Sequence, residues 1–240
     1  MNKKFKTAII LIMLSIGTFA SFAKFNSSDN NNFVTYIADP KTQDIKLYWK
    51  NDQSQNFKSI KNLKLWLEKK NQKLEFATNA GMYKKDGSPQ GLYIENRKTL
   101  SHLDNSNANG NFYLKPNGIF YITDKNIAGI SITEKFNSKD IKYATQSGPM
   151  LIIDGEIHPA FNSGSTNLNI RNGVGILPDN KIVFAMSKKE INFYDFANYF
   201  KKMGCKNALY LDGFVSRTYS VNDNWLQTDG NFGVMIGITK

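Results

Sequence analysis

Apolar runs of strand length dominate this chain, and helical spacing of apolar positions replaces them at two places. Phe33-Val34-Thr35-Tyr36-Ile37-Ala38 and Ile45-Lys46-Leu47-Tyr48-Trp49 are rich in β-branched and aromatic residues. Separated by Asp39-Pro40, they read as the two arms of a hairpin. Phe57, Ile60, Leu63 and Leu67 then recur at helical spacing, predicting a first helix over 57–70 with a lysine-rich outer face. Strands are expected next at 74–78, 91–95, 111–114, 118–123, 127–132, 150–153, 174–177 and 181–186. Turn signals at Lys115-Pro116-Asn117-Gly118, Asp154-Gly155 and Pro178-Asp179-Asn180 separate several of them. A second helix is capped by Asn192, carries Asp195 in its first turn and buries Phe193, Phe196, Ala197, Phe200 and Met203 before Gly204 ends it. That helix feeds the run Ala208-Leu209-Tyr210-Leu211, a buried strand that ends in Asp212-Gly213.

Two helices among roughly ten strands argue for an α+β domain built mainly on antiparallel sheet, not a doubly wound parallel fold. No repeat, low-complexity tract or linker divides the chain, so 33–240 reads as one domain. Ahead of it, 24–32 is a polar lead-in rich in Ser, Asn and Asp. Residues 1–23 place Lys3, Lys4 and Lys6 before an apolar run and end in Ser-Phe-Ala, the layout of a secretory signal peptide. The expected location is therefore periplasmic or secreted, with no membrane attachment after cleavage. Removing that segment takes away three lysines and no acid, lowering the net charge from +11 to +8. The remaining lysines are scattered, which fits either a solvated surface or a field that draws anionic substrates. No nucleic-acid-binding signature is present. Cys205 stands alone, excluding an intramolecular disulfide and a cysteine-based zinc site.

Asp212 is the first candidate for chemistry, because it sets a carboxylate and a flexible glycine at a strand's mouth; an Asp-Gly turn is the plainer alternative. Three other segments also place small and polar residues where a strand ends. They are Thr78-Asn79-Ala80-Gly81-Met82-Tyr83, Gln146-Ser147-Gly148-Pro149-Met150 and Arg171-Asn172-Gly173-Val174-Gly175. His158 follows the second of these closely enough to serve as a proton carrier or phosphate partner, or else to pack in a turn beside Pro159. No His, Asp and Glu spacing specifies a transition metal. No cofactor is expected, with a calcium or magnesium ion held by scattered carboxylates and carbonyls left open.

The order and spacing of these four boxes resemble the phosphodiester glycosidase family, the bacterial relatives of N-acetylglucosamine-1-phosphodiester α-N-acetylglucosaminidase. The resemblance spans about 35–238. It rests on ATNAGMYKKDGSPQGLYIENRKTL, NGNFYLKPNGIFYI, ATQSGPMLIIDGEIHPAF, RNGVGI and ALYLDGFVS. It implies hydrolysis of a sugar's anomeric carbon–oxygen bond with a phosphate ester as leaving group. Asp212 would then stabilise, attack or activate water at the oxocarbenium-like centre, and Arg171 would hold phosphate oxygens in its planar fork or, alternatively, form a surface ion pair. Glu95 is a second carboxylate or a half-exposed strand residue. Asn79, Gly81, Ser147, Gly148, Gly213 and Ser216 would supply hydrogen bonds to the sugar or phosphate, Ser216 having a loop-capping alternative. Phe214 and Val215 stand where the family usually has glycine, a difference expected to narrow the site. The competing reading is a non-catalytic glycan-binding or envelope-assembly protein on the same fold.

Overall fold

A computed structural model describes residues 31–212 and 215–240; the expected signal peptide and most of the lead-in lie outside them. Every strand pairing is antiparallel, and three sheets enclose one central core. The first sheet runs in the order β1 (Phe33–Ala38), β12 (Ile182–Ser187), β11 (Asn172–Ile176), β13 (Asn207–Tyr210), β9 (Met150–Ile153) and β10 (Glu156–Ile157). The second is ordered β15 (Trp225–Leu226), β14 (Thr218–Ser220), β3 (Leu74–Asn79), β16 (Met235–Thr239) and β2 (Asp44–Tyr48). The third is ordered β5 (Lys98–Ser101), β4 (Tyr93–Glu95), β8 (Ile141–Ser147), β6 (Gly118–Thr123) and β7 (Ala128–Ile132). This is the expected α+β architecture of mainly antiparallel sheet with two principal helices.

Both helices form for the reasons their sequences give. In α1 (Ile60–Glu68) the Ser59 side chain accepts the Asn62 amide, and Ile60, Leu63 and Leu67 are buried against the outer face of the second sheet. In α2 (Phe193–Lys202) Asn192 accepts the Asp195 amide at 2.8 Å, and Phe196, Ala197 and Phe200 are fully buried over the first sheet. Each cap of this kind contributes about 1 kcal/mol. Gly204, at φ +82°, turns the chain out of α2 in a left-handed conformation that favours glycine.

Two local expectations are corrected, and one strand was not expected. β1 and β2 are not a hairpin: β1 pairs with β12 and β2 with β16, so the turn at 39–43 carries the chain from one sheet to another. Residues 111–114 form a 3-10 turn at Asn111–Tyr113 in place of a strand, with Phe112 plugged into the interior. The central strand of the third sheet, β8, lies outside the strand ranges expected from the sequence and is almost wholly buried.

Candidate active site

The four boxes lie at one end of the three sheets, and direct contacts lock them together. Asn79 is the last residue of β3, Ser147 the last of β8 and Asn172 the first of β11; Asp212 follows β13 by two residues. The amides of Leu211 and Tyr210 donate to the carbonyls of Asn172 and Pro149, and the Asp212 amide donates to the Ala80 carbonyl at 3.1 Å. Gly81 closes the remaining joint. A Cβ there would lie 2.3 Å from the Gln146 carbonyl oxygen and from Thr145 Oγ1, so only glycine lets the first box seat on the second.

Asn79 is the hub. It is 1% exposed; its Nδ2 donates to the Asp212 carbonyl, while its Oδ1 accepts from the Arg217 amide at 3.0 Å and from Asn172 Nδ2 at 3.2 Å. The loop that begins at Asp212 is therefore stapled at both ends by one side chain. Asn172 Nδ2 also reaches Thr78 Oγ1, and Ser216 Oγ donates to Asn172 Oδ1 at 3.2 Å. Ser216 thus fastens the loop from inside. Asp212 itself is half-buried at the mouth of this network. Ser147 is fully buried, and its hydroxyl and the neighbouring Asn117 Oδ1 have no partner among the described residues. Gly148 packs against Asn117 and the Phe112 carbonyl. Gly213 lies outside the described residues, as does Phe214. Val215 packs against the core beneath α1, a placement the expectation of a narrowed site did not foresee.

Arg171 faces the other side of the first sheet. Strand alternation directs Asn172 and Val174 inward and turns Arg171, Gly173 and Gly175 toward α2, where a Cβ on Gly175 would sit 2.8 Å from the Phe200 ring. Arg171 is 1% exposed, and its guanidinium carbon lies 3.6 Å from the Phe193 ring centroid. Its Nε donates to the Ile191 carbonyl, Nη1 to Tyr210 Oη, and Nη2 to the Asn167 carbonyl and Oδ1. No carboxylate pairs with it among the described residues, so the surface ion pair is excluded. Burial lowers its pKa from the ordinary value. Four of its five N–H groups already have protein acceptors, which differs from the open fork expected of a phosphate clamp.

Two more candidates stand outside the network. His158 is buried and stacks on Phe161, which stacks on Phe193. Its Nδ1 accepts from the Ala160 amide, so the hydrogen-bond pattern puts the proton on Nε2, facing the Lys115 carbonyl. Burial lowers its pKa and keeps it neutral. These contacts match the turn histidine, not the proton carrier. Glu95 accepts from Tyr93 Oη and from the Trp49 amide beside Tyr48 and Tyr143. Burial raises its pKa, and no hydrogen bond joins it to the four boxes among the described residues.

A family model described as phosphodiester glycosidase matches residues 72–239, a span that contains all four boxes. The chain belongs to the phosphodiester glycosidase family. It is 36% identical over 185 residues to the uncharacterized protein YigE of Escherichia coli (strain K12), covering 77% of this chain and 72% of that one. The catalytic domain of zebrafish N-acetylglucosamine-1-phosphodiester alpha-N-acetylglucosaminidase, solved auto-inhibited by its pro-peptide, shares the fold at TM-score 0.55 and 13% identity, over 86% of this chain and 88% of that one. A hypothetical protein from Synechocystis shares it at TM-score 0.55 and 11% identity, over 86% and 59%.

Within this phosphodiester glycosidase fold, Tyr83 and Arg217 also belong to the surroundings of Asp212. The Tyr83 phenol donates to the Asn231 carbonyl at 2.6 Å, and burial with the Asp212 charge pushes its pKa up to about 12. It stays protonated at neutral pH, its proton donated to the Asn231 carbonyl. Arg217 supplies a cation on the Asp212 loop itself. The sequence carried a signal for both, since Tyr83 closes the first box and Arg217 directly follows Ser216, but not which way either side chain turns. Among the described residues no three His, Cys, Asp or Glu side chains gather to hold a metal ion, and no helix is long and apolar enough to cross a membrane.

Proposed function

We propose that this phosphodiester glycosidase family member is an exported hydrolase that cleaves the glycosidic bond of a sugar-1-phosphodiester, releasing sugar and a phosphomonoester from envelope or extracellular glycans. The observation that carries the reading is the stapled loop. Asn79 fixes both the Asp212 carbonyl and the Arg217 amide, so a half-buried carboxylate is held where four strand ends meet. A carboxylate so placed meets the need of an oxocarbenium-like centre for a nearby negative charge, whether it stabilises, attacks or activates water. Phosphate leaves readily, which lightens the demand for a paired general acid and suits a site in which Glu95 belongs to a different cluster. The unpaired hydroxyl of buried Ser147 leaves a donor for a bound group, since such an atom otherwise costs about 1–3 kcal/mol. The basic lead and apolar run of residues 1–23 support export.

Purified protein incubated with a panel of sugar-1-phosphodiesters tests this directly. Wild type releases a phosphomonoester from at least one of them. Asp212→Asn loses that release while its melting temperature and ligand binding stay near wild type, and Glu95→Gln retains it. Equal release by wild type and Asp212→Asn overturns the assignment of Asp212. The absence of release from every diester favours the glycan-binding alternative.

A further inference from the structure

The reaction proposed above needs a cation where the phosphate gathers charge, and Arg171 has spent its donors elsewhere. Arg217 has not. Its backbone is held on both sides, the amide by Asn79 Oδ1 at 3.0 Å and the carbonyl by Thr78 Oγ1 at 3.1 Å, so its Cα is as fixed as the catalytic loop. Its side chain is 39% exposed. Nε sits 2.9 Å from both oxygens of Asp229, and Nη1 donates to the Ser216 carbonyl at 2.9 Å. Both N–H groups of Nη2 and the second of Nη1 have no partner among the described residues. That leaves a planar, two-pronged donor edge open on the loop that carries Asp212.

We infer that Arg217 is the phosphate-reading residue of this site and that Asp229 is its resting counter-ion. The inference rests on the reading of Asp212 given above and adds the group that selects a charged leaving group over a neutral one. Asp229 is itself 64% exposed, and an ion pair that open is weak, so exchanging its carboxylate for a phosphate costs little. A phosphate returns more, because the guanidinium fork matches two of its oxygens at once. Asp229 is set at a defined distance, since its segment is tied to the start of α1: the Lys61 amide donates to the Thr228 carbonyl and the Phe232 amide to the Lys58 carbonyl. In this arrangement Asp229 keeps the arginine extended and ready between substrates, and also competes with the incoming anion.

Two substitutions break the same ion pair and separate recognition from mere structure. Binding of inorganic phosphate and of phenyl phosphate is followed by calorimetry on wild type, Arg217→Gln, Arg217→Lys and Asp229→Asn. Arg217→Gln weakens both anions by about tenfold or more, Arg217→Lys by less, and Asp229→Asn tightens them, as loss of a fork contact and of a competitor require. Melting temperatures change little across the set, as expected for an exposed pair. If Arg217→Gln and Asp229→Asn weaken binding alike, or if Arg217→Gln binds like wild type, the inference fails. Failure of wild type to bind either anion also defeats it. The outcome is separable from that of Asp212. The expected binding pattern without turnover of any diester leaves the anion site standing and removes the catalytic reading. Diester turnover with phosphate binding indifferent to Arg217 does the reverse.

Discussion

Replacing Asn79 with alanine removes one side chain that serves three partners, and the cost follows from what is left behind. The Asp212 carbonyl loses its donor and the Arg217 amide loses its acceptor, while Asn172 Nδ2 keeps Thr78 Oγ1 and the Asn79 carbonyl. Two orphaned backbone groups at about 1–3 kcal/mol each set a ceiling near 6 kcal/mol. Asp212 and Arg217 are half-exposed, so water recovers part of that, and a loss of about 2–4 kcal/mol is expected. For a chain of this size each kcal/mol moves the melting temperature by about 2–4 °C, giving a fall of roughly 4–16 °C. Urea unfolding gives the free energy, and amide exchange at Arg217 reports the local event. The exchange should accelerate more than at β16, whose ladder does not depend on Asn79's side chain. Combined with Asn172→Ala, the losses should be less than additive, because the two amides share one network. A melting temperature within about 2 °C of wild type, with Arg217 exchange unchanged, would show that the staple holds nothing.

Gly81→Ala tests the joint between the first two boxes. A Cβ 2.3 Å from a β8 carbonyl and from Thr145 Oγ1 must push the first box off β8, so a loss of at least about 2 kcal/mol is expected, with turnover falling in step; a variant as stable and active as wild type refutes the contact. His158 gives a pH signature. Its folded pKa lies below the ordinary value of 6.5, so its contribution is complete above that pH and is lost as pH falls toward the folded value, where the unfolded chain binds the extra proton. His158→Gln should therefore flatten the stability curve as pH falls below about 6.5, and parallel curves for the two proteins would remove the buried neutral imidazole from the account.

Much of the local structure was legible in the sequence because it is fixed by neighbours along the chain. The spacing of Ile60, Leu63 and Leu67 marked α1, though the structure starts it at Ile60 behind a Ser59 cap the sequence reading did not pick out, and Asn192 with Gly204 bounded α2. β1, β6 and β9 fall where their apolar runs place them. The four boxes were visible as strand ends with unusual polarity, and their order identified the family. Buried β8 was not visible, since its side chains do not alternate in polarity when both faces are covered. Nor was the partner of β1, for two adjacent apolar runs look like a hairpin whether or not they pair.

The site divides along the same line. Sequence alone supplied Asp212 at a strand's mouth and a set of polar residues to stand around it. Tertiary structure decided that Asn79 reaches across 133 positions to hold the Asp212 carbonyl. It also decided that Arg171 and Asn172, adjacent in the chain, face opposite sides of one sheet, which spends the first on α2 and gives the second to the site. A period of two fixes that neighbours point apart; only the packing of layers fixes which of them points in.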